Sequence, residues 1–467
     1  MTAPAEQHSF WRDVRDAIRG TEHDYTQGTI GRAILLLAVP MVIEMMMESI
    51  FAVVDVFFVG KLGPAAVATV GLTESLMIVL YTIAFGLSIG ATATVARRIG
   101  EKDADGAARA AVQVILLGAA LAGGLGLLGA IFAPELLALM GADAEVVAVG
   151  TPFARVTLGA SATAFLIFLV NAVFRGAGDP AVAMRVLILG NGLNCILDPA
   201  LIFGWGPLPE LGLVGAAWAT TIGRGAGLMY ALWLMSRGTG HLEVSRQHLA
   251  IEPTTMVKIA QLSGWGTLQV AISSMSWMGL VRVVSGFGAP AMAGYTIAIR
   301  VLLFALMPAF GIGAAAATMV GQSLGSKQPD RAEQSVWTAA KLNVAVLTLT
   351  GILFIIFTPQ LIGLFTADPA VKEVGVFGLR MMSFGFPAYA VGMVLEQSFN
   401  GAGDTRTPSW INFGVFWMLQ IPLAWFLAYR TTLDEGGVFI SVSVAYSMLA
   451  LVSFLLFRRG RWKGAQV

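Results

Sequence analysis

Residues 33–59 read AILLLAVPMVIEMMMESIFAVVDVFFV, a run whose only polar side chains are Glu44, Glu48, Ser49 and Asp55. A helix crosses the hydrocarbon of a bilayer with roughly 20 apolar residues, so this run is long enough to span, and it carries three acids where lipid excludes charge. Outward from it, runs of the same character recur at 66–95, 110–133, 146–172, 184–204, 213–235, 257–285, 292–320, 336–358, 372–398, 409–429 and 437–457. Twelve spans consume most of the 467 residues and leave short connections. Composition agrees, because 57% of the residues are hydrophobic and 12% charged, about half the charge that water-facing domains carry. The sequence predicts an all-α, polytopic membrane protein of twelve transmembrane helices. No apolar stretch of signal-peptide length precedes Arg32, so the first span is expected to remain in the mature protein.

The two tails and the even-numbered connections hold 21 of the 29 Lys and Arg residues, whereas the odd-numbered connections and their flanks hold Lys61, Arg155, Lys372, Arg380 and Arg430. This asymmetry predicts cytoplasmic termini and a multi-pass place in the cell membrane, the inner membrane in a Gram-negative cell. A net charge of +1 argues against nucleic acid as a partner. His8, His23, His241 and His248 all lie outside the apolar runs, and the single cysteine, Cys195, lies inside one. Neither metal catalysis nor a disulfide framework is encoded, and no cofactor is expected. Gly124-x-Gly126-x-x-Gly129 falls inside the third span with no strand before it, so it reads as helix packing by small residues. With no G-x-x-x-x-G-K-[ST] loop, energy must come from an ion gradient or a partner.

Sliding the chain against itself by 225 residues superposes Gly86 on Gly311, Gly100 on Gly325, Lys102 on Lys327, Asp105 on Asp330, Pro134 on Pro359 and Arg155 on Arg380. The same offset lays Ala142-Asp143 on Ala367-Asp368 and Gly176-Ala177-Gly178-Asp179 on Gly401-Ala402-Gly403-Asp404. That is an internal repeat. Each copy holds an even number of spans, so both enter the membrane in one orientation and are expected to form pseudo-symmetric six-helix bundles about an axis along the membrane normal, with a cleft between them. The expected organisation is a cytoplasmic tail at 1–29, one lobe at 30–235, a cytoplasmic linker at 236–255, a second lobe at 256–458 and a tail at 459–467.

The segment from Pro40 to Gly63, ending V-V-D-V-F-F-V-G-K-L-G, joins R-G-A-G-D-P at 175–180, N-x-x-x-D-P at 194–199 and N-G-A-G-D-T at 400–405. As a set these resemble the multidrug and toxic compound extrusion (MATE) family from Thr29 to about Arg459. The resemblance implies an exporter of organic cations or amphipathic drugs that exchanges them for inward Na⁺ or H⁺. It is closer to the branch with its cation site in the N-terminal lobe, whose aspartates, Asn and Thr match Asp55, Asp198, Asn194 and Thr220. Members with acids in the seventh and tenth helices match less well, since the seventh span here has no acid and Tyr389 stands where the tenth-helix aspartate belongs.

The residues support that site independently. An acid inside hydrocarbon costs a few kcal/mol or more, so each is by default functional or paired, and six qualify: Glu44, Glu48, Asp55, Glu74, Asp198 and Glu396. Asp55 lies five residues before Gly60 and Asp198 six before Gly204, which sets both roughly 8 to 9 Å below the same surface. Thr220 reaches a similar depth, and Asn194 shares the Asp198 face. Two carboxylates, an amide and a hydroxyl offer oxygen ligands to Na⁺, by the preference hard cations show. The same group would equally hold a proton, since low dielectric and a like charge favour the neutral acid. The plainer alternative is that both aspartates cap helix ends or bind interfacial water.

Pro40 removes a backbone hydrogen bond fifteen residues before Asp55, so the first helix can bend there. The sequence offers it as a hinge driven by the ion site, or as a kink that fills a packing gap. Glu44, Glu48 and Asp55 form a stripe on one helix face. Glu74 and Glu396 add acids, while Arg282 and Arg300 add cations in the second lobe. Ion pairing between these groups is the preferred expectation, with contact to cationic substrate as the other, and Arg224 as a further partner. Met45, Met46, Met47, Met275 and Met278 have the adaptable chemistry of promiscuous surfaces, and Trp265, Trp277, Phe165 and Phe168 that of cation stacking; ordinary membrane packing explains both groups as well. The Gly-Ala-Gly-Asp segments read as tight turns, with Asp179 as an N-cap and Pro180 in the first turn. Residues 10–19 read as an interfacial amphipathic helix or as a cytoplasmic extension.

Together these expectations describe a monomeric, non-enzymatic exporter working by alternating access, whose partners are small organic cations or amphipathic drugs and the lipid bilayer. A flippase of lipid-linked glycans in the same fold superfamily is the alternative; a basic cleft would favour it, and the acid stripe does not. An intramembrane enzyme would need H-E-x-x-H or an aspartate-rich motif, and neither occurs. A channel needs only a continuous pore, and two similar bundles around one cleft suit rocking better.

Overall fold

A computed structural model describes residues 10–20, 23–206, 208–238 and 241–465; the remaining positions, His8 among them, lie outside the described residues. Among the described residues twelve long helices cross the molecule. They are α1 (Ile30–Val59), α2 (Pro64–Gly100), α3 (Ala104–Ile131), α4 (Ala144–Ala177), α5 (Pro180–Phe203) and α6 (Leu213–Ser236) in the first lobe. The second lobe holds α7 (Pro253–Val284), α8 (Ala289–Gly325), α9 (Pro329–Gly363), α10 (Pro369–Phe384 with Phe386–Ala402), α11 (Arg406–Arg430) and α12 (Gly436–Arg458). Ten are long and apolar enough to cross a membrane, and the two halves of α10, bent by 56°, make an eleventh span. The twelfth, α6, is 24 residues long and carries the buried Arg224. No strand occurs among the described residues.

The repeat governs how helices end. Gly63 and Gly288 take φ of 100° and 90°, a left-handed backbone that lets α1 turn into Pro64 and α7 turn into Ala289-Pro290. Gly178 and Gly403, both at φ 90°, terminate α4 and α10. Those turns are as expected, but Asp179 does not cap α5. Its carboxylate instead accepts from the backbone N–H of His241 at 2.9 Å, fastening the interlobe linker. Asp404 does cap, accepting from the Thr407 N–H at 3.2 Å.

The lobes meet through contacts that the 225-residue offset relates. A Cβ on Gly86 would overlap the backbone of Thr267, and one on Gly311 would overlap Met41 and Val42, which is the same contact seen from the other lobe. Gly100 meets Gln322 and Gly325 meets Arg97 in the same reciprocal way. Arg97 donates to the carbonyl of Ala402, while Gln322 donates to that of Gly176, so each lobe caps the end of the other's fourth helix. All of these lie on the side of the molecule that carries the tails. There one core cluster joins Ile34, Leu37 and Met41 of α1 to Ile312, Ala316 and Met319 of α8. At the far side each lobe keeps its own core, Val59, Val70 and Ile202 in one and Val284, Tyr295 and Phe439 in the other. The lobes therefore diverge away from the tails, leaving Met46, Ile50 and Val53 of α1 and Met275 and Met278 of α7 exposed.

The tails tie the closed side together. Arg331 at the start of α9 donates four hydrogen bonds of 2.7–3.0 Å to the carbonyls of Tyr25, Gln27 and Gly28, just before α1. Arg97 of α2 donates to the carbonyl of Ala465 at 2.6 Å, beside the buried Trp462.

Candidate functional site

The acid stripe on α1 points into the first lobe and meets arginines there. Glu44, 1% exposed, accepts from Arg175 of α4 at 2.5 Å and from Asn171 at 3.5 Å. One turn further, Glu48 accepts from Arg224 of α6 at 2.8 Å and from Asn191 of α5 at 2.9 Å. The Arg224 guanidinium also lies over the rings of Phe51 and Phe168, 5.1 and 5.5 Å from their centroids. The Glu44 pair is shielded from water, where removing one partner strands the other charge, while Glu48 keeps 24% of its side chain exposed against a buried Arg224.

Beyond them the arginines stop. Asp198 is fully buried on α5 and accepts, at 3.5 Å, from the amide of Asn194 one turn away. That amide also donates to the hydroxyl of Thr220 on α6 at 3.0 Å. The close approach of α5 and α6 requires Gly190 and Gly223, since a Cβ on either would press on the other's carbonyl. The second oxygen of Asp198 and the side-chain oxygen of Asn194 are buried with no hydrogen-bond partner. Asp55, half-buried on α1, is the charged group that acts electrostatically on Asp198. It makes no ion pair itself among the described residues, and its own charged neighbours are Glu74 and Arg224. Asp198, Asn194 and Thr220 are thus one bonded cluster, on which Asp55 acts electrostatically without a hydrogen bond to it. A buried carboxylate oxygen and a buried amide oxygen left unsatisfied offer two of the several oxygen ligands that a monovalent cation takes, and the carboxylate alone suffices for a proton.

The second lobe places one acid at the corresponding level. Glu396 of α10 accepts from Gln269 of α7 at 2.6 Å and from Asn412 of α11 at 2.7 Å, and Asn412 also donates to Ser273 at 2.9 Å. Gln269 is the repeat counterpart of Glu44, and Glu396 that of Asn171, so acid and amide have exchanged helices. The counterpart of Arg175 is Asn400, whose amide nitrogen and oxygen are both buried without partners. Tyr389 stacks near Tyr446 with centroids 4.1 Å apart.

Other expected residues fare differently. Arg282 and Arg300 are exposed and make no ion pair among the described residues, so the expectation that they neutralise the acids is not met. They lie where the lobes have diverged, and the pairing is internal to the first lobe. Glu74 is likewise exposed, with Arg300 as its charged neighbour. Pro40 is buried in an α1 that continues as helix through it. Arg175 precedes a turn motif and reads from the sequence as a helix-end charge, so its pairing with Glu44 is not legible there. Asn171, Asn191, Gln269 and Asn412 were missed too, although the offset pairs two of them with acids.

Two repeat-related six-helix bundles that converge on one side, part on the other and bury charge between their helices have the architecture of a membrane transporter. The MatE family model matches residues 40–200 and 267–426, and the chain belongs to that family. It is 25% identical over 444 residues to the probable multidrug resistance protein YoeA of Bacillus subtilis, covering 94% of this chain and 96% of that one. It is 26% identical to the probable multidrug resistance protein NorM of Thermotoga maritima, covering 93% of each. Among solved structures, a MATE protein in complex with MaL6 superposes with a TM-score of 0.88 at 26% identity, over 94% of this chain and 99% of that one.

Proposed function

We propose that this protein is a secondary active multidrug exporter that exchanges inward Na⁺ or H⁺ for organic cations or amphipathic drugs. The names of the relatives support the cargo class, and the observation that carries the coupling is the unsatisfied oxygen pair of Asp198 and Asn194 beside Asp55 and Thr220. Glu44, which is buried, and Glu48, which is half-buried, already have fixed counter-charges, so they have no vacancy to trade. Asp198 has none, and its charge is satisfied only when a cation or proton arrives. Transport then requires that ion and cargo favour different lobe arrangements, because a ligand shifts an equilibrium only by its differential affinity. With the tails in the cytoplasm, the divergent side opens outward, and the protein acts as a monomer in the cell membrane, on the N-lobe-coupled branch of its family. Pro40 serves as the bend through which occupancy of the site reshapes α1; Pro40→Ala retaining full ion-dependent efflux would remove that role.

The test is export of ethidium from proteoliposomes under an imposed Na⁺ or pH gradient, comparing wild type with Asp55→Asn and Asp198→Asn. Loss of gradient-driven export in both, with ethidium binding retained, is expected, and the gradient that drives the wild type identifies the ion. Undiminished export in both variants would sink the coupling site.

A further inference from the structure

The helix Phe10–Arg19 has three faces, and the bundle accounts for only one of them. At about 100° per residue, Asp13, Asp16 and Ala17 share the side turned to the protein, where Arg32 at the start of α1 holds Asp13 at 3.0 Å and Asp16 at 3.7 Å. Phe10, Ile18 and Trp11 follow on the next sector, exposed by 58, 42 and 76%. Arg15, Arg19 and Arg12 complete the circle, all exposed and without an ion pair among the described residues. The helix is fixed at the rim of the bundle, since Gly20 closes on Ala181 and Arg185 of α5. The exposed apolar band of α5 begins with Ile188 and Leu189, one turn past Arg185, within about 10 Å along the axis from Ala181. The apolar sector thus lies at the edge of the lipid-facing surface, flanked by three uncompensated cations.

We propose that Phe10–Arg19 is an interfacial anchor for anionic phospholipid: Phe10, Trp11 and Ile18 enter the boundary of the acyl chains, and Arg12, Arg15 and Arg19 bind the headgroups. A water-facing helix gains nothing from exposing a tryptophan, a phenylalanine and an isoleucine on one sector. A protein groove would take the apolar sector but leave the arginines unused. A bilayer surface uses both at once, with apolar burial below and phosphate above. The acids complete the case, because they face away from the headgroups and are occupied by Arg32.

The test uses the full-length protein in vesicles of one fixed mixture of phosphatidylcholine and phosphatidylglycerol, with bromine carried on one lipid or the other. The contribution of Trp11 is the difference in tryptophan fluorescence between wild type and Trp11→Phe. Bromine on phosphatidylglycerol is expected to quench that contribution about twofold or more over bromine on phosphatidylcholine. The triple variant Arg12→Gln, Arg15→Gln, Arg19→Gln should remove the preference while quenching persists. No quenching of Trp11 by either lipid overturns the anchor, and equal quenching by both in the wild type overturns the anionic recognition. All four substituted side chains are exposed, and none belongs to the ion site, so neither outcome bears on the coupling mechanism.

Discussion

The two lobes share a backbone plan and divide the charge unequally. The reciprocal contacts of Gly86 with Thr267 and of Gly311 with Val42 are one contact used twice, yet the polar interiors above them differ. In the first lobe Glu44, Asn171 and Arg175 form a neutralised group, and in the second the same three positions hold Gln269, Glu396 and Asn400. Repetition preserves what close helix packing demands, namely small residues at fixed places. It leaves the polar positions free to specialise. In this molecule the first lobe holds two arginine-paired acids and the bonded cluster of Asp198, Asn194 and Thr220, whereas in the second Glu396 is stabilised by amides alone.

That contrast can be broken most directly by comparing Asp198→Asn with Glu396→Gln in gradient-driven export. The first should fall by about tenfold or more, the loss expected when a group acting in the coupled step is removed, and the second should keep most of its activity. Equal losses would show that the second lobe shares the coupling. In stability the largest effect is expected of Arg175→Ala, which strands the buried charge of Glu44 and should cost about 3–5 kcal/mol, read as a fall in Tm in detergent. Adding Glu44→Gln should recover most of it, and no recovery would mean that Arg175 acts through packing. Asn412→Leu removes one of two donors to Glu396 and should cost about 1.5–3 kcal/mol. Asn400→Leu should be neutral or stabilising by about 1 kcal/mol, because it replaces two buried unpartnered polar atoms with hydrocarbon; a clear loss of stability would reveal a partner for Asn400.

Most of the fold is legible in the sequence because hydrocarbon imposes length and polarity on every span at once. All twelve apolar runs coincide with the twelve long helices, and the 225-residue offset anticipates the reciprocal glycine contacts. The bend in α10 at Gly385 and the wide turn at Phe413–Gln420 in α11 do not announce themselves, since neither changes apolarity. For the site, depth arithmetic sets Asp55, Asp198 and Thr220 at one level and helix spacing puts Asn194 on the Asp198 face, whereas the hydrogen bonds join Asn194 to Asp198 and Thr220 and leave Asp55 outside them. The arginine partners are a different matter. Arg282 and Arg300 look well placed by span, but pairing depends on which face each helix turns to its neighbour. Arg175, near a helix end, reaches back to Glu44 through a side chain whose direction no spacing rule supplies. Asp179 shows the same limit, being a sound N-cap by pattern and a linker anchor in fact.

The hold of Arg331 on the carbonyls before α1 has a mechanical consequence. It joins the leading edge of one half to the ninth helix of the other, on the side that must part if the cavity is to face the opposite compartment. Four bonds to a single guanidinium let go together, so small tilts leave the clasp fastened and only a larger excursion frees it. If the lobes swing as proposed, this clasp gives the motion a threshold, set where the tail meets the ninth helix and far from any cargo.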